Sequence, residues 1–331
     1  MGLVKGACVL VGVVMVAPAL VFYFLLCLQV PSASQWDVKA RLSGPLAGDD
    51  PRVVRTVREN FLDPPSSLPY NLTNHAWFSL GKNMFTWPWV YYHIHSLFSQ
   101  ERGGFFVEAG ALDGEYLSNT LWLEQELGWT GLLIEAEENN YKSLRSKHRR
   151  AWSSSTCLSS ESYPKEIIFV SHFSRVKLLE ISPWSFRSHG HELRDDLSQD
   201  AHNLLDDTAY TSVQCFPLVT YLAALNVSKV DLLSLDIQGT EASVLTNFFL
   251  TLSDVSVRVI VVENEYKNFD DAFMRLMSDK GYILLAAAID YVFVKGDDPV
   301  LRRPEVVRIM EEKVASSSSS FLTLTSSPSP T

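Results

Sequence analysis

Four carboxylates, Glu108, Glu135, Asp236 and Glu263, each close an apolar run, and Glu108 is followed at once by a glycine-marked turn from Gly110 to Gly114 that includes Asp113. A carboxylate ending a buried strand can accept both hydroxyls of a ribose. Glycines admit a ligand close to the backbone, and the first turn of a following helix offers unpaired N–H groups. This chemistry favours a nucleotide-like cofactor. Glu135 follows Glu108 at a spacing a little longer than the roughly 20 residues of a dinucleotide site. Asp236, Glu263 and the adjacent Asn264 could instead offer oxygens to a divalent ion, although strand-end carboxylates more often meet a cofactor or water. His172, His189, His191 and His202 are bases of the right type near neutrality, and nothing in their spacing selects one.

Positioning these groups requires strands that end in them. Phe105 to Glu108 and a second apolar strand ending at Glu135 bracket a helix from about Ser118 to Leu127, stopped by Gly128. Val230 to Ile237 is a near-continuous apolar run of the kind that fills a buried parallel strand, and Arg258 to Glu263 is another. Helices are expected over Val90–Phe98, Asn139–His148, Leu218–Leu225, Thr240–Leu250 and Phe269–Lys280. Lys142, Arg145, Lys147, Arg149 and Arg150 then read as a solvated basic face. A weak third strand lies within Ala151–Ser160. Glu166–Phe173 and Val176–Ile181 read as an inserted hairpin, Ser185–Thr211 as a long surface loop, and Tyr282–Ala287 with Tyr291–Lys295 as a closing pair of strands. Pro304 opens a last helix with Val306, Val307 and Met310 on one side.

The chain of 331 residues is 47% hydrophobic, with 8 Trp, 12 Tyr and 18 Phe, enough for a sizeable core. A net charge of −10 offers no basic field for a phosphate backbone, so nucleic acid is excluded as an expected partner. Residues 6–30 carry no charge and exceed the roughly 20 residues that cross a bilayer; they read as an uncleaved signal anchor after a short cytoplasmic tail, residues 1–5. Prolines from Pro31 to Pro69 make residues 31–75 a stem with one short helix, Arg52–Phe61. A domain over residues 76–300 follows, then the terminal helix and a Ser-rich tail, residues 301–331. Asn71-Leu72-Thr73 and Asn226-Val227-Ser228 are glycosylation sequons, which place the large domain in the lumen of the secretory pathway as a type II protein. Cys8 and Cys27 fall in the anchor. Cys157 and Cys215 are either two free thiols or one disulfide, and an oxidising lumen suits the disulfide.

Acid-terminated strands with a closing strand pair fit a class I methyltransferase: an α/β, Rossmann-like, mostly parallel seven-stranded sheet. Val107-Glu-Ala-Gly-Ala-Leu-Asp-Gly114, Leu133-Ile-Glu135, Leu232-Leu-Ser-Leu-Asp-Ile-Gln-Gly-Thr-Glu241 and Ile260-Val-Val-Glu263 resemble the motifs of FkbM-type S-adenosylmethionine-dependent methyltransferases. Tyr70 to Leu72, Gly104 to Glu115, Leu117 to Leu121, Gly128 to Leu133 and Cys157 to Ser159 resemble in particular a membrane-anchored, Star-like branch. The family block usually carries Lys and Glu where this chain has Ser234 and Gln238.

The resemblance implies S-adenosylmethionine as cofactor. Glu108 and Gly110 would lie at its methionine end, Asp113 and Gly114 among its further contacts, Glu135 on the ribose, Leu158 and Ser159 beside adenine, and Asp236 as both cofactor contact and catalytic candidate. It implies O-methyl transfer to a small hydroxylated substrate. For the Star-like branch it implies instead a non-catalytic role in moving growth-factor precursors or other transmembrane cargo through endoplasmic reticulum, Golgi and endosome.

Overall fold

The computed structural model describes residues 46–73, 85–174, 188–193, 206–251, 255–264 and 269–313. The expected anchor and tail at the N-terminus, the strand expected over Val176–Ile181, His202 and the Ser-rich tail lie outside them. Among the described residues no helix is long and apolar enough to cross a membrane.

The chain begins with α1 (Pro51–Asn60) and α2 (Pro88–Phe98), and the main sheet opens with β1 (Phe105–Ala109), α3 (Leu121–Leu127), β2 (Thr130–Ile134), α4 (Glu138–Ser146) and β3 (Trp152–Ser154). An inserted group follows: β4 (Cys157–Leu158), β5 (Lys165–Ser174), β6 (Ser188–Glu192) and β7 (Asp206–Phe216). The main fold resumes with α5 (Leu218–Leu225), β8 (Lys229–Leu235), α6 (Glu241–Thr251), β9 (Ser256–Glu263), α7 (Asp271–Asp279), β10 (Tyr282–Ala287) and β11 (Asp290–Lys295). A 3-10 turn, Pro299–Arg302, precedes α8 over residues 304–313.

Seven strands form one sheet in the order β10-β11-β9-β8-β1-β2-β3, parallel from β9 to β3 and antiparallel where β11 meets β9 and β10. The α/β class and mostly parallel sheet expected from the sequence are therefore present. The central strands are apolar throughout because helices cover both faces: Leu232, Leu233, Val259, Ile260, Leu132 and Leu133 are all essentially without exposure. Trp129 and Phe98 meet edge to face at 4.9 Å between ring centres under α2. Local chemistry sets the helix ends. Gly128 adopts φ 67° after α3, and the Asp270 side chain accepts from Phe273 N–H at the start of α7. α3 starts later than Ser118 because Ser118, Asn119 and Thr120 are used by Glu108, as described below.

Four expectations need correction. Residues 46–73, taken as part of a free stem, lie against the domain: Val53 and Val57 of α1 are fully buried, Asp63 bridges Ser153 at the sheet edge, and Asn71 N–H donates to Lys147 O. The prolines rule out a long helix but leave an extended strap free to dock. The solvated basic face is only partly so. Lys147 and Arg149 are buried, paired at 2.6 Å with Glu115 and at 3.0 Å with Glu124, while Lys142 is exposed.

The expected surface loop contains β6 and the start of β7, which flank β5 in a second, four-stranded sheet ordered β4-β7-β5-β6. Its strands are held by backbone ladders, and Ser188–Glu192 and the start of Asp206–Phe216 are polar in sequence, so apolar periodicity is weak. In α8 it is Val306 and Ile309 that are buried, with Val307 and Met310 exposed.

Candidate functional site

β1 and β8 are neighbours whose following connections run to opposite sides of the sheet, and the crevice outside such a switch point is where open α/β sheets hold ligands. A cavity of about 440 Å³ lies there, within the size range of small-molecule sites. Gly110, Leu112 and Leu117 from the loop after β1, Glu135 and Ala136 after β2, and Asp236 to Gln238 after β8 line it. Thr156, Cys157 and Leu158, with Ile167, Phe169, Gly190 and Glu192 of the second sheet, form a further wall, which Ala136 packs against. Trp87, Ile134, Asn140, Thr240 and Glu263 complete it.

The loop after β1 is folded around two acids. Leu112 N–H donates to Glu135 Oε2 at 2.7 Å and Glu137 N–H to Oε1 at 2.9 Å, with the Asn140 side chain as a further donor, so Glu135 ties the first loop to the end of β2 and to α4. Burial outweighs these donors and lifts its pKa to about 7. Glu108 is directed elsewhere. Its carboxylate accepts from Ser118 Oγ at 2.9 Å, Asn119 N–H at 2.6 Å and Thr120 Oγ1, and burial raises its pKa against the pull of Arg149. Arg149 in turn donates to Ser118, Thr120, the Gly114 carbonyl and Glu124, closing a buried network beneath the loop.

At β8, Asp236 N–H donates to Ala109 O at 3.0 Å, and the two strand ends touch. Gly110 has φ 81°, and a Cβ there would overlap the Asp236 carbonyl oxygen. Gln238, at φ 59°, donates its amide nitrogen to Asp236 Oδ1 at 2.7 Å and Glu263 Oε2 at 3.0 Å. The buried Glu241 holds this loop by accepting from Ile237 and Gly239 N–H groups, both at 2.9 Å, and burial lifts its pKa to about 7. Asp290, opposite Glu263 in the ladder, is raised to about 6 by burial and by Asp236.

The model of the methyltransferase FkbM domain family matches residues 108–284, a span that holds all four acids and both loops. The chain belongs to the FkbM methyltransferase-domain family. Among solved structures it is similar to the methyltransferase FkbM from Methylobacillus flagellatus KT, at 12% identity and a TM-score of 0.35 over 58% of this chain and 43% of that one. The chain thus spans less than half the length of that protein. No curated protein matches it.

Within this FkbM domain the sequence-derived residues separate into two sets. Gly110, Glu135 and Asp236 line the cavity together. Glu108, Asp113, Gly114 and Ser159 do not line it, because each is committed to its own loop. Asp113 accepts from Glu115 and Tyr116 N–H groups at 3.0 and 2.7 Å, Gly114 makes a left-handed turn at φ 73° against Leu144, and Ser159 Oγ donates to Tyr163 O at 2.8 Å.

The three groups of the metal alternative, Asp236, Glu263 and Asn264, already have partners. Asn264 Oδ1 accepts from Phe269 N–H at 3.3 Å, Gln238 lies between Asp236 and Glu263, and no group of three or more His, Cys, Asp or Glu suited to a metal occurs among the described residues. Ser234 is buried beside Glu108 in the ladder and accepts from Asn119 Nδ2 at 2.9 Å, so it faces the sheet's own network. Of the histidines, His191 shares a hydrogen bond with Glu192 O.

Cys157 and Cys215 are joined in a disulfide. Asn71 and Asn226 are exposed, the first donating to Ser146 O at 3.1 Å and the second capping α5 in the left-handed region at φ 57°. Sequence reasoning missed Leu112, Leu117, Trp87, Asn140, Thr240 and the second-sheet wall. Leu112 and Leu117 have positive φ, at 47° and 55°, which no residue type there announces.

Proposed function

We propose that the cavity binds S-adenosylmethionine and that the chain is a methyltransferase acting on an oxygen. The observation that carries this reading is Glu135, a buried carboxylate on the cavity wall at the end of β2, where ribose hydroxyls can donate to it. The residues present suit the cofactor: Ala136, Ile167 and Phe169, which pack together, and Leu158 offer apolar surface for a purine, and the Gly110 and Leu112 loop lines the same cavity. When bound, the cofactor supplies an electrophilic methyl carbon. Asp236 and Glu263, both on the cavity lining, are carboxylates able to take the proton of an acceptor hydroxyl, and the cavity would exclude water and align the two reactants. The lining includes Glu135, Glu192, Asp236 and Glu263 and, among the described residues, no Lys, Arg or His, which favours an uncharged hydroxylated acceptor over a phosphate. Titration calorimetry with S-adenosylhomocysteine tests the reading: binding by the wild type and its loss in Glu135→Ala are expected, and no binding by the wild type refutes it.

A second reading is a Star-like, non-catalytic trafficking protein that recognises transmembrane cargo in the same fold. Gln238 favours it, since one neutral amide engages both carboxylates otherwise placed to take a proton. Recovery of a transmembrane growth-factor precursor on the lumenal domain, with no ligand in the cavity, would select it. Both readings place the domain in the lumen behind the residue 6–30 anchor, as a single-pass type II protein of the secretory pathway. The disulfide and the exposed sequon asparagines support that side. Sugar removable from Asn71 or Asn226 by endoglycosidase tests it.

A further inference from the structure

One wall of the cavity depends on a covalent bond. β4 has only two residues, paired Cys157 to Cys215 and Leu158 to Phe216 of β7, and both β4 residues line the cavity. Here the chain leaves for the second sheet and here, after 58 residues, it returns toward α5. The cross-link therefore pins exit to return. Between the two cysteines lie Ile167, Phe169, Gly190 and Glu192, the residues through which the second sheet reaches the cavity. Among the described residues their apolar footing is Ile167, Phe169, Val213 and Cys215, with Ala136 and Cys157 against them. Cys157 is half-buried on the cavity side, whereas Cys215 is only 1% exposed.

We propose that the Cys157–Cys215 disulfide is a redox control on occupancy of the cavity: oxidised, it holds the second-sheet wall in place for the cofactor, and reduced, it releases that wall. The inference rests on the cofactor reading above. The reductant is a dithiol. Its thiolate attacks the sulfur of Cys157, the reachable one, and the Cys215 sulfur leaves as thiolate and takes up a proton. The second thiol of the reductant then resolves the mixed disulfide, so that two electrons and two protons pass to the protein and the reductant becomes a disulfide. What changes is the freedom of one wall, since β1, β2 and β8 do not run through the closed loop.

The test is calorimetry of S-adenosylhomocysteine on the full chain in detergent, oxidised, reduced with dithiothreitol, and reoxidised, with amide hydrogen exchange measured on the same samples. At least tenfold weaker binding on reduction is expected, recovered on reoxidation, with protection lost between residues 157 and 216 and kept in β1, β2 and β8. The double variant Cys157→Ala, Cys215→Ala is expected to bind like the reduced form. Equal affinity in both states, with both thiols open to alkylation, overturns the control, and so does loss of protection throughout the parallel sheet. Absence of binding in every state removes the cofactor reading and this inference with it, an outcome distinct from equal binding.

Discussion

Glu135 and Glu241 are acids that burial holds to about pKa 7, one on the cavity wall and one beneath it. An acid raised in this way contributes stability while protonated. That contribution is complete below the ordinary carboxylate range and is lost as pH rises through about 7. The ligand-free protein is therefore expected to melt at lower temperature at pH 7.5 than at pH 5.5, and Glu135→Gln to flatten part of that slope in a calorimetric series. Ligand hydroxyls donate to the ionised form, so affinity for S-adenosylhomocysteine should rise several-fold between pH 6 and 8 in the wild type and not in the glutamine variant.

Gln238→Glu sets a third carboxylate between Asp236 and Glu263 and removes their shared donor. A loss of about 1–3 kcal/mol is expected in urea unfolding at pH 8, and less at pH 5 where the cluster can protonate. The acids at strand ends were legible because an apolar run ending in a charge is an unusual pattern. Which of them faces the cavity was not, since that depends on the donors of Ser118, Asn119 and Thr120 that claim Glu108.

Among elements, the strap from Asp63 to Thr73 contributes more than its proline content suggested. Tyr70 donates to Glu124 at 2.9 Å, and Thr73 donates to Glu115 through both its N–H and its hydroxyl, so the strap closes the network that Arg149 carries to Glu108. Arg149→Ala leaves Glu124 and Glu108 without their buried cation, and a loss of about 3–5 kcal/mol is expected on thermal unfolding. Removing residues 46–73 exposes the faces that cover Val53 and Val57 and takes from Glu115 the two Thr73 donors, leaving it Lys147; a domain begun at residue 76 is expected to be recovered insoluble, whereas one begun at residue 43 is expected to unfold in a single transition. The parallel strands could be read because both their faces are covered and their sequences are apolar without interruption. β6 and β7 could not, because Ser188–Glu192 is polar at every position but Gly190, the first half of Asp206–Phe216 is largely polar, and their pairing with β5 is a long-range fact of the backbone.

Over the whole of the described structure, a parallel sheet supplies the loops of the site and an inserted sheet supplies a further wall. The family match covers both, as it runs from Glu108 to Leu284. A cross-link closing a loop of this length is worth about 4 kcal/mol against the unfolded chain. The oxidised protein is therefore expected to outlast the reduced one in chemical denaturation by a margin of that order. The direct backbone contact between Gly110 and Asp236 has the opposite character to the second sheet. Two strand ends bonded main chain to main chain have no slack, so in a saturation library position 110 should reject every side chain, while Ile167 and Phe169 exchange for other apolar residues. A designer wishing to change what this cavity accepts should leave the floor alone and rewrite the ceiling.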